Sequence, residues 1–374
     1  MRVYLLVMLV AGAVTFLLTP FARWLAVRTR AVTAVRARDV HTIPTPRLGG
    51  VAMLLGIATA FVLASQMPFL EGVFDSSNEA WAILGAGAMV CLLGVADDIW
   101  DLDWMTKLVG QVLAAGFMAV QGVQLITIPV GGLTIGSSRL SLFATVLVVV
   151  VAMNAVNFVD GLDGLAAGMI AIGGTGFFVY TYLLTQDANP TDYSNLATVV
   201  ISALVGACLG FLPHNFHPAR IFMGDSGSML IGLTIAAASI VVTGQIDPER
   251  ASNGQSVPAF IPILLPMAVL LLPLLDMMLA VVRRMLAGKS PFHPDRMHLH
   301  HRLLALGHSH PRAVIIMYMW SAVFAFGAAA LVTVPWRTVV GGLCIVVVVS
   351  VALTLGPLRG RAARRNATSE GSTP

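Results

Sequence analysis

Apolar residues fill long uninterrupted runs along this chain, and polar residues gather in the short stretches between them. The runs lie at about 3–26, 49–68, 80–96, 107–121, 140–158, 165–185, 195–213, 227–244, 258–282, 313–334 and 338–357. Around 20 apolar residues make a helix long enough to cross a bilayer. Within lipid a spanning backbone must satisfy its own hydrogen bonds, which a helix does. The pattern therefore predicts an all-α polytopic membrane protein of about eleven transmembrane helices. One stretch breaks it. In VQLITIPVGGLTIG, after Gln121, β-branched residues around Gly131 and Gly132 predict a small β-hairpin in the loop between the fourth and fifth spans. A single integral membrane domain, 1–357, is expected, followed by a basic and then disordered tail, 358–374.

Composition agrees and excludes a soluble domain. Only 11% of the 374 residues are charged and 57% are hydrophobic, whereas soluble chains carry about 25% charged residues. The distribution of Lys and Arg then sets the orientation. With the N-terminus outside, the segments 23–47, 97–107, 159–164, 214–226, 283–312 and 358–374 are cytoplasmic and hold 18 of the 22 basic residues. Arg2, Arg139, Arg250 and Arg337 remain outside. Basic loops stay on the cytoplasmic side, so the C-terminus is expected there too. Met1 to Ala26 reads as a retained first span. Cys91, Cys208 and Cys344 lie far apart in apolar runs and read as small buried hydrophobes. No nucleic acid partner is expected.

Five polar clusters share that cytoplasmic face: RDVHTIPTPRLGG (38–50), ADDIWDLDWMTKLVGQ (96–111), NAVNFVDGLDG (154–164), HNFHPARIFMGDSGS (214–228) and SPFHPDRMHLHH (290–301). In the third, Asn154, Asn157 and Asp160 recur every three residues and share one helix face. Asp163 follows beyond Gly161. Carboxylates at the mouth of a membrane helix are costly and point to a cation. Asp97 and Asp98 end the third apolar run without a spacer, and hard oxygens of this kind suit Mg²⁺. Asp101 and Asp103 read as solvated loop charges. FMGDSGS reads as a turn into a helix, with N–H groups that favour phosphate and Asp225 placed to hold a divalent cation. The H-x-H-H string is read either as zinc ligands or as a cationic, hydrogen-bonding clamp with Arg296 and Arg302; it lacks a fourth-ligand pattern, which favours the clamp. Asp276 is expected to pair with Arg283 or Arg284.

Together these clusters resemble the polyprenyl-phosphate N-acetylhexosamine-1-phosphate transferase superfamily, glycosyltransferase family 4, over about Arg38 to Arg312. SPFHPDRMHLHH is similar to the bacterial UDP-GlcNAc branch. The triple-His string of the phospho-MurNAc-pentapeptide branch, the alternative, is absent. The resemblance implies transfer of GlcNAc-1-phosphate from a UDP-sugar donor to a polyprenyl phosphate, undecaprenyl or decaprenyl, in the bacterial plasma membrane with the chemistry on the cytoplasmic face. It implies Mg²⁺, with Mn²⁺ as a substitute, held by Asp225 and Asn157, and catalytic roles for Asp97, Asp98, Asp160 and Asp163. Asn215, Phe222, Lys107, Arg296, His298, His300 and His301 are implied to bind substrate: Phe222 on uracil and the histidines beside the diphosphate. A homodimer is implied as well. Relatives carry a lysine before the diglycine Gly49–Gly50, where this chain has His41 or Arg47 to offer. A phosphate dianion needs little help from a base, so metal or positional roles are expected for Asp97 and Asp98. The rival from another class is a secondary transporter of a phosphorylated anion. Transporters place their sites near the bilayer midplane at a repeat interface, whereas these residues lie at one surface.

Overall fold

A computed structural model describes residues 1–32, 44–125, 127–128, 133–134, 137–188, 195–244, 261–290 and 298–370. Its helices are α1 (Arg2–Arg28), α2 (Gly49–Ser65), α3 (Glu71–Asp75), α4 (Glu79–Trp100), α5 (Trp104–Val120), α6 (Ser138–Val159), α7 (Leu165–Ala188), α8 (Leu196–Asn215), α9 (Gly224–Gly244), α10 (Ile261–Leu286), α11 (Leu299–Ala305), α12 (His310–Ala330) and α13 (Trp336–Glu370). Among the described residues, nine helices are long and apolar enough to cross a membrane: α1, α4, α6 to α10, α12 and α13. The shorter apolar helices α2 and α5 stand where the sequence predicts the second and fourth spans. Each has 17 residues, about 25 Å of helix at 1.5 Å per residue.

Between α5 and α6, the backbones of β1 (Thr127–Ile128) and β2 (Leu133–Thr134) pair antiparallel, Thr127 opposite Thr134. This is the stretch predicted as a hairpin; residues 129–132 lie outside the described ones.

The bundle is built around α9, which is almost wholly enclosed by α4, α6, α8 and α2. Small residues make this possible. A Cβ on Gly94 of α4 would run into the backbone of Ser226 at the start of α9, so the two helices meet backbone to backbone there. That contact brings the C-terminal end of α4 against the N-terminal end of α9. The α1 helix packs on α8 and α2. Its buried Tyr4 accepts a hydrogen bond from the Asn195 N–H at 2.9 Å, and the Asn195 side chain caps α8 by accepting from Thr198 N.

One expectation needs correction. Cys91 and Cys208 are buried, but Cys344 is exposed. It lies on α13, which packs on α12 and leaves most of its surface outside the bundle. The backbone of α13 is helical from Trp336 to Glu370.

Candidate active site

Three helix ends converge on one acidic centre. Asp97, in the last turn of α4, and Asp225, in the first turn of α9, face each other across the ammonium of Lys107 from α5. Lys107 Nζ lies 2.8 Å from Asp97 Oδ2 and 3.0 Å from Asp225 Oδ2. The other oxygen of each carboxylate is also engaged. Asp97 Oδ1 accepts from Leu102 N at 2.9 Å, and Asp225 Oδ1 accepts from Asn157 Nδ2 at 3.0 Å. The same Asn157 nitrogen lies 2.9 Å from Ser228 Oγ. Asn154, one turn earlier on α6, faces α5 instead, giving a 2.7 Å hydrogen bond to Gln111 Oε1. Asp103, expected to be only a solvated charge, is exposed and caps α5 by accepting from Met105 N and Thr106 N.

Asp98 has a different position from its neighbour. Its two oxygens accept from the backbone N–H groups of Asp225 and Ser226 at 3.2 and 3.4 Å. Its carboxyl thus caps the start of α9, accepting from two amides at the positive end of the helix. The sequence predicts phosphate for these amides; a side chain of the protein already holds them. Gly224, at φ +69°, supplies the left-handed turn, and a Cβ there would collide with the Asp98 carboxylate.

Beside this centre runs the loop 160–164. Asp160 follows the end of α6. Burial and the negative charge of Asp225 push its carboxyl up to about 7, against the pull of Arg47. Arg47 is carried there by backbone pairing: Phe222 N donates to Pro46 O at 2.8 Å, and Gly49 N donates to Phe222 O at 3.0 Å. Asp163 is buried. Its Oδ2 lies 2.7 Å from His217 Nδ1 and accepts from Ala219 N at 3.0 Å, while its own N–H donates to His310 Nε2 at 3.1 Å. Gly164 is held at both backbone groups, its N–H by Asn215 Oδ1 at 3.1 Å and its carbonyl by the Tyr318 hydroxyl at 2.5 Å. Asn215 also donates to Ile221 O at 3.0 Å. The structure thus gives this asparagine the task of tying the loop to the turn before α9.

The His-rich segment docks on α10. Asp276, buried there, accepts from Leu299 N at 2.8 Å, and its other oxygen lies 3.0 Å from His298 Nδ1. This corrects the expected pairing with Arg283 or Arg284. Those residues lie two helical turns further along, about 10 Å away at 1.5 Å per residue, whereas α11 brings its N-terminus directly to the carboxylate. His298, His300 and His301 form one aromatic group, with ring centroids 5.6 Å apart for His298 and His300 and 4.4 Å for His300 and His301. His300 packs on Gly161. Burial, reinforced by the neighbouring His301, lowers its pKa to about 3, so it enters any clamp as a neutral ring rather than as the expected cation. Arg302 is exposed, and Arg296 lies outside the described residues.

Two sets of side chains have the chemistry to hold a metal. Asp97 and Asp225 offer carboxylate oxygens around a position that already holds positive charge, and Asn157 meets Asp225 there through its amide nitrogen. Asp163, His217 and His310 offer one oxygen and two nitrogens within 4.8 Å of one another, a set suited to a softer ion. The second set is not foreseen from the sequence. His217 and His310 stand 93 residues apart in HNFHPAR and GHSHP, and only the fold stacks their rings at 4.5 Å. Tyr318 escaped notice as an ordinary residue within an apolar run.

Comparison with known proteins bears directly on this arrangement. The family model described as Glycosyl transferase family 4 matches residues 80–243. A decaprenyl-phosphate N-acetylglucosaminephosphotransferase of Mycolicibacterium smegmatis is 45% identical over 366 residues, 96% of this chain and 90% of that protein. The protein of the same description from Mycobacterium tuberculosis is 46% identical over the same shares. A phospho-N-acetylmuramoyl-pentapeptide-transferase of Desulforudis audaxviator is 30% identical over 346 residues, 85% of this chain and 96% of that protein. The matched segment opens with α4 and closes with α9, the helices whose ends bear Asp97 and Asp225, and the alignments continue over nearly all of the rest. The chain therefore belongs to glycosyl transferase family 4.

Proposed function

We propose that the protein transfers GlcNAc-1-phosphate from UDP-GlcNAc to a polyprenyl phosphate, giving polyprenyl-diphospho-GlcNAc and UMP, the first membrane step of a cell-envelope glycopolymer. The observation that carries this reading is the Asp97–Lys107–Asp225 centre at one end of an apolar bundle, in a chain aligned along its length with decaprenyl-phosphate N-acetylglucosaminephosphotransferases. The higher identity to those relatives than to the pentapeptide transferase favours the GlcNAc branch.

In the reaction an oxygen of the lipid phosphate attacks the phosphorus that bears the sugar. The bond from that phosphorus to the oxygen bridging it to the uridine-bearing phosphate breaks, and its electron pair leaves with UMP. At neutral pH most of a phosphate monoester is already a dianion, since its second pKa is about 6, so no proton need be removed. The task of the protein is to bring two anions together. Asp225, Asn157 and Asp97 are the groups that would hold Mg²⁺, or Mn²⁺ in its place, and their hard oxygen chemistry suits it; bound there, the ion would supply positive charge to the diphosphate. Arg47 adds a cation beside Asp98 and Asp160. Asp98 keeps Asp225 in place through the backbone. Asp160, Asp163, Asn215 and Phe222 form the side assigned to the nucleotide, and the His298–His301 group the side assigned to the diphosphate, where neutral His300 donates or accepts hydrogen bonds without charge. The chain is read as eleven spans, counting α2 and α5, with its N-terminus outside and its chemistry on the cytoplasmic face of a bacterial plasma membrane. The concentration of Lys and Arg on that side supports this orientation.

The test uses purified protein, polyprenyl phosphate and Mg²⁺ with UDP-GlcNAc, UDP-GalNAc or UDP-MurNAc-pentapeptide offered separately. UMP release and lipid-linked sugar are followed. Turnover is expected with UDP-GlcNAc alone and is lost with EDTA and in Asp225→Ala. UMP mainly from the pentapeptide donor would overturn the branch assignment; folded protein silent with every donor would overturn the reaction.

A further inference from the structure

Lys107 stands where the metal would have to stand. Its ammonium lies 2.8 Å from Asp97 Oδ2 and 3.0 Å from Asp225 Oδ2, the inward-facing oxygen of each carboxylate. The outward oxygens are committed to Leu102 N and Asn157 Nδ2. A divalent ion held between these carboxylates competes for the oxygens that the ammonium now uses, and two cations at bonding distance from the same oxygens repel one another.

The surroundings decide which partner moves. The carboxylates are fixed, Asp97 by the backbone at Leu102 and Asp225 by α9 itself. The α5 helix is fixed too: one turn beyond Lys107, Gln111 is buried, with its Oε1 2.7 Å from Asn154 Nδ2 and its Nε2 3.2 Å from Met229 Sδ. The ammonium sits on a flexible four-carbon stem and can swing aside. Trp104, three residues before Lys107 on α5, lies on the same helix face. It is exposed together with Met105 and Trp100, which forms the aromatic and apolar edge expected at a membrane–water boundary. An ammonium that swings toward Trp104 moves to this exposed apolar edge.

We propose that Lys107 is an exchangeable counter-ion: it neutralises Asp97 and Asp225 while no metal is bound, yields those oxygens to the metal, and then pairs with the phosphate dianion of the lipid acceptor. The inference rests on the metal-assisted transfer proposed above and adds an order of events to it. Metal binding and acceptor binding become coupled through one side chain. The metal removes the carboxylates from Lys107, and the released charge favours the acceptor. By linkage the acceptor phosphate tightens the metal in return.

The experiment compares the full-length protein with Lys107→Met and, as a second variant of similar length that can still hydrogen-bond, Lys107→Gln. Mn²⁺ binding is followed by electron paramagnetic resonance in detergent with no donor or acceptor present, and acceptor and donor KM are measured in the donor assay. Removal of the competing ammonium is expected to tighten Mn²⁺ about tenfold, while the acceptor KM rises by about tenfold or more and the donor KM stays nearly constant. In EDTA both variants are expected to melt below the parent protein, with the gap closed by Mn²⁺, because two carboxylates have lost the ammonium between them. Mn²⁺ binding that in both variants is equal to or weaker than in the parent would overturn the exchange. Tighter Mn²⁺ with an unchanged acceptor KM would overturn the transfer of the ammonium to the lipid. No Mn²⁺ binding by the parent protein would overturn the metal-assisted reading beneath it, a result distinguishable from the other two.

Discussion

Asp97 and Asp98 are adjacent in sequence, share a chemistry, and end the same helix, yet the rotation of about 100° between successive helical residues sends their carboxylates to different work. Asp97 meets an ammonium, while Asp98 meets two peptide N–H groups of α9. An amide in place of Asp98 can still accept a hydrogen bond but loses the charge that strengthens it. It also turns an NH₂ toward at least one of the donors. Asp98→Asn is therefore expected to cost about 1–3 kcal/mol and to lower the melting temperature and the turnover together, since Asp225 sits on the loosened turn. Loss of turnover with an unchanged melting curve would count against a capping role. The sequence makes the acidity of this pair legible, because a carboxylate at a membrane boundary calls for a partner. It does not separate the two roles, which depend on where another helix, 127 residues further on, begins. The partners of Asp276 are hidden from the sequence for a related reason. Its neighbours along α10 are basic and visible in the sequence, but its partners at His298 and Leu299 come from a different segment.

Helices were the easiest level to read. An apolar run declares a spanning element whatever its neighbours do, so a described helix stands at each predicted span, the last of them running 13 residues past its predicted end. Contacts between helices were not legible, and the site depends on one of them. The crossing of α4 and α9 at Gly94 has no room for a methyl group, because the obstructing atoms are the backbone of Ser226. Gly94→Ala is expected to push the two helices apart and reduce turnover by at least about tenfold, since displacements near 1 Å can cost 10²-fold in a positioned site. Gly72→Ala in α3, where an added Cβ meets nothing within 4 Å, serves as the control and should leave turnover unchanged. Equal activities would mean that the crossing tolerates the spread and does not set the geometry of Asp97 and Asp225. The small helix α11 shows the limit from the other side. It has 7 residues, too few for a periodic signal, and it exists because Asp276 and the loop below it receive its first turn.

At the scale of the whole molecule, charge carries the orientation and apolar surface carries the depth. If α2 and α5 both cross, the number of spans is odd and the two termini lie on opposite sides. A fluorescent protein fused after α13 is then expected to fold and emit in the cytoplasm, while alkaline phosphatase fused after α12 is expected to be active outside. The reverse pair of results would remove one crossing, and α2 and α5, the shortest of the apolar helices, would be the first to suspect. Chain order adds a consequence of its own. The loop 160–164 is gripped by His310 from 147 residues downstream and by Tyr318 from 154 downstream, whereas Asp97, Lys107, Asn157 and Asp225 have all left the ribosome well before either. A growing chain that has reached only α10 thus owns every carboxylate of the centre and the lysine between them, but the loop they border still lacks the grip of α12. The protein acquires its charges early in synthesis and its closure near the end, so a half-made chain in the membrane is chemically equipped but geometrically unfinished.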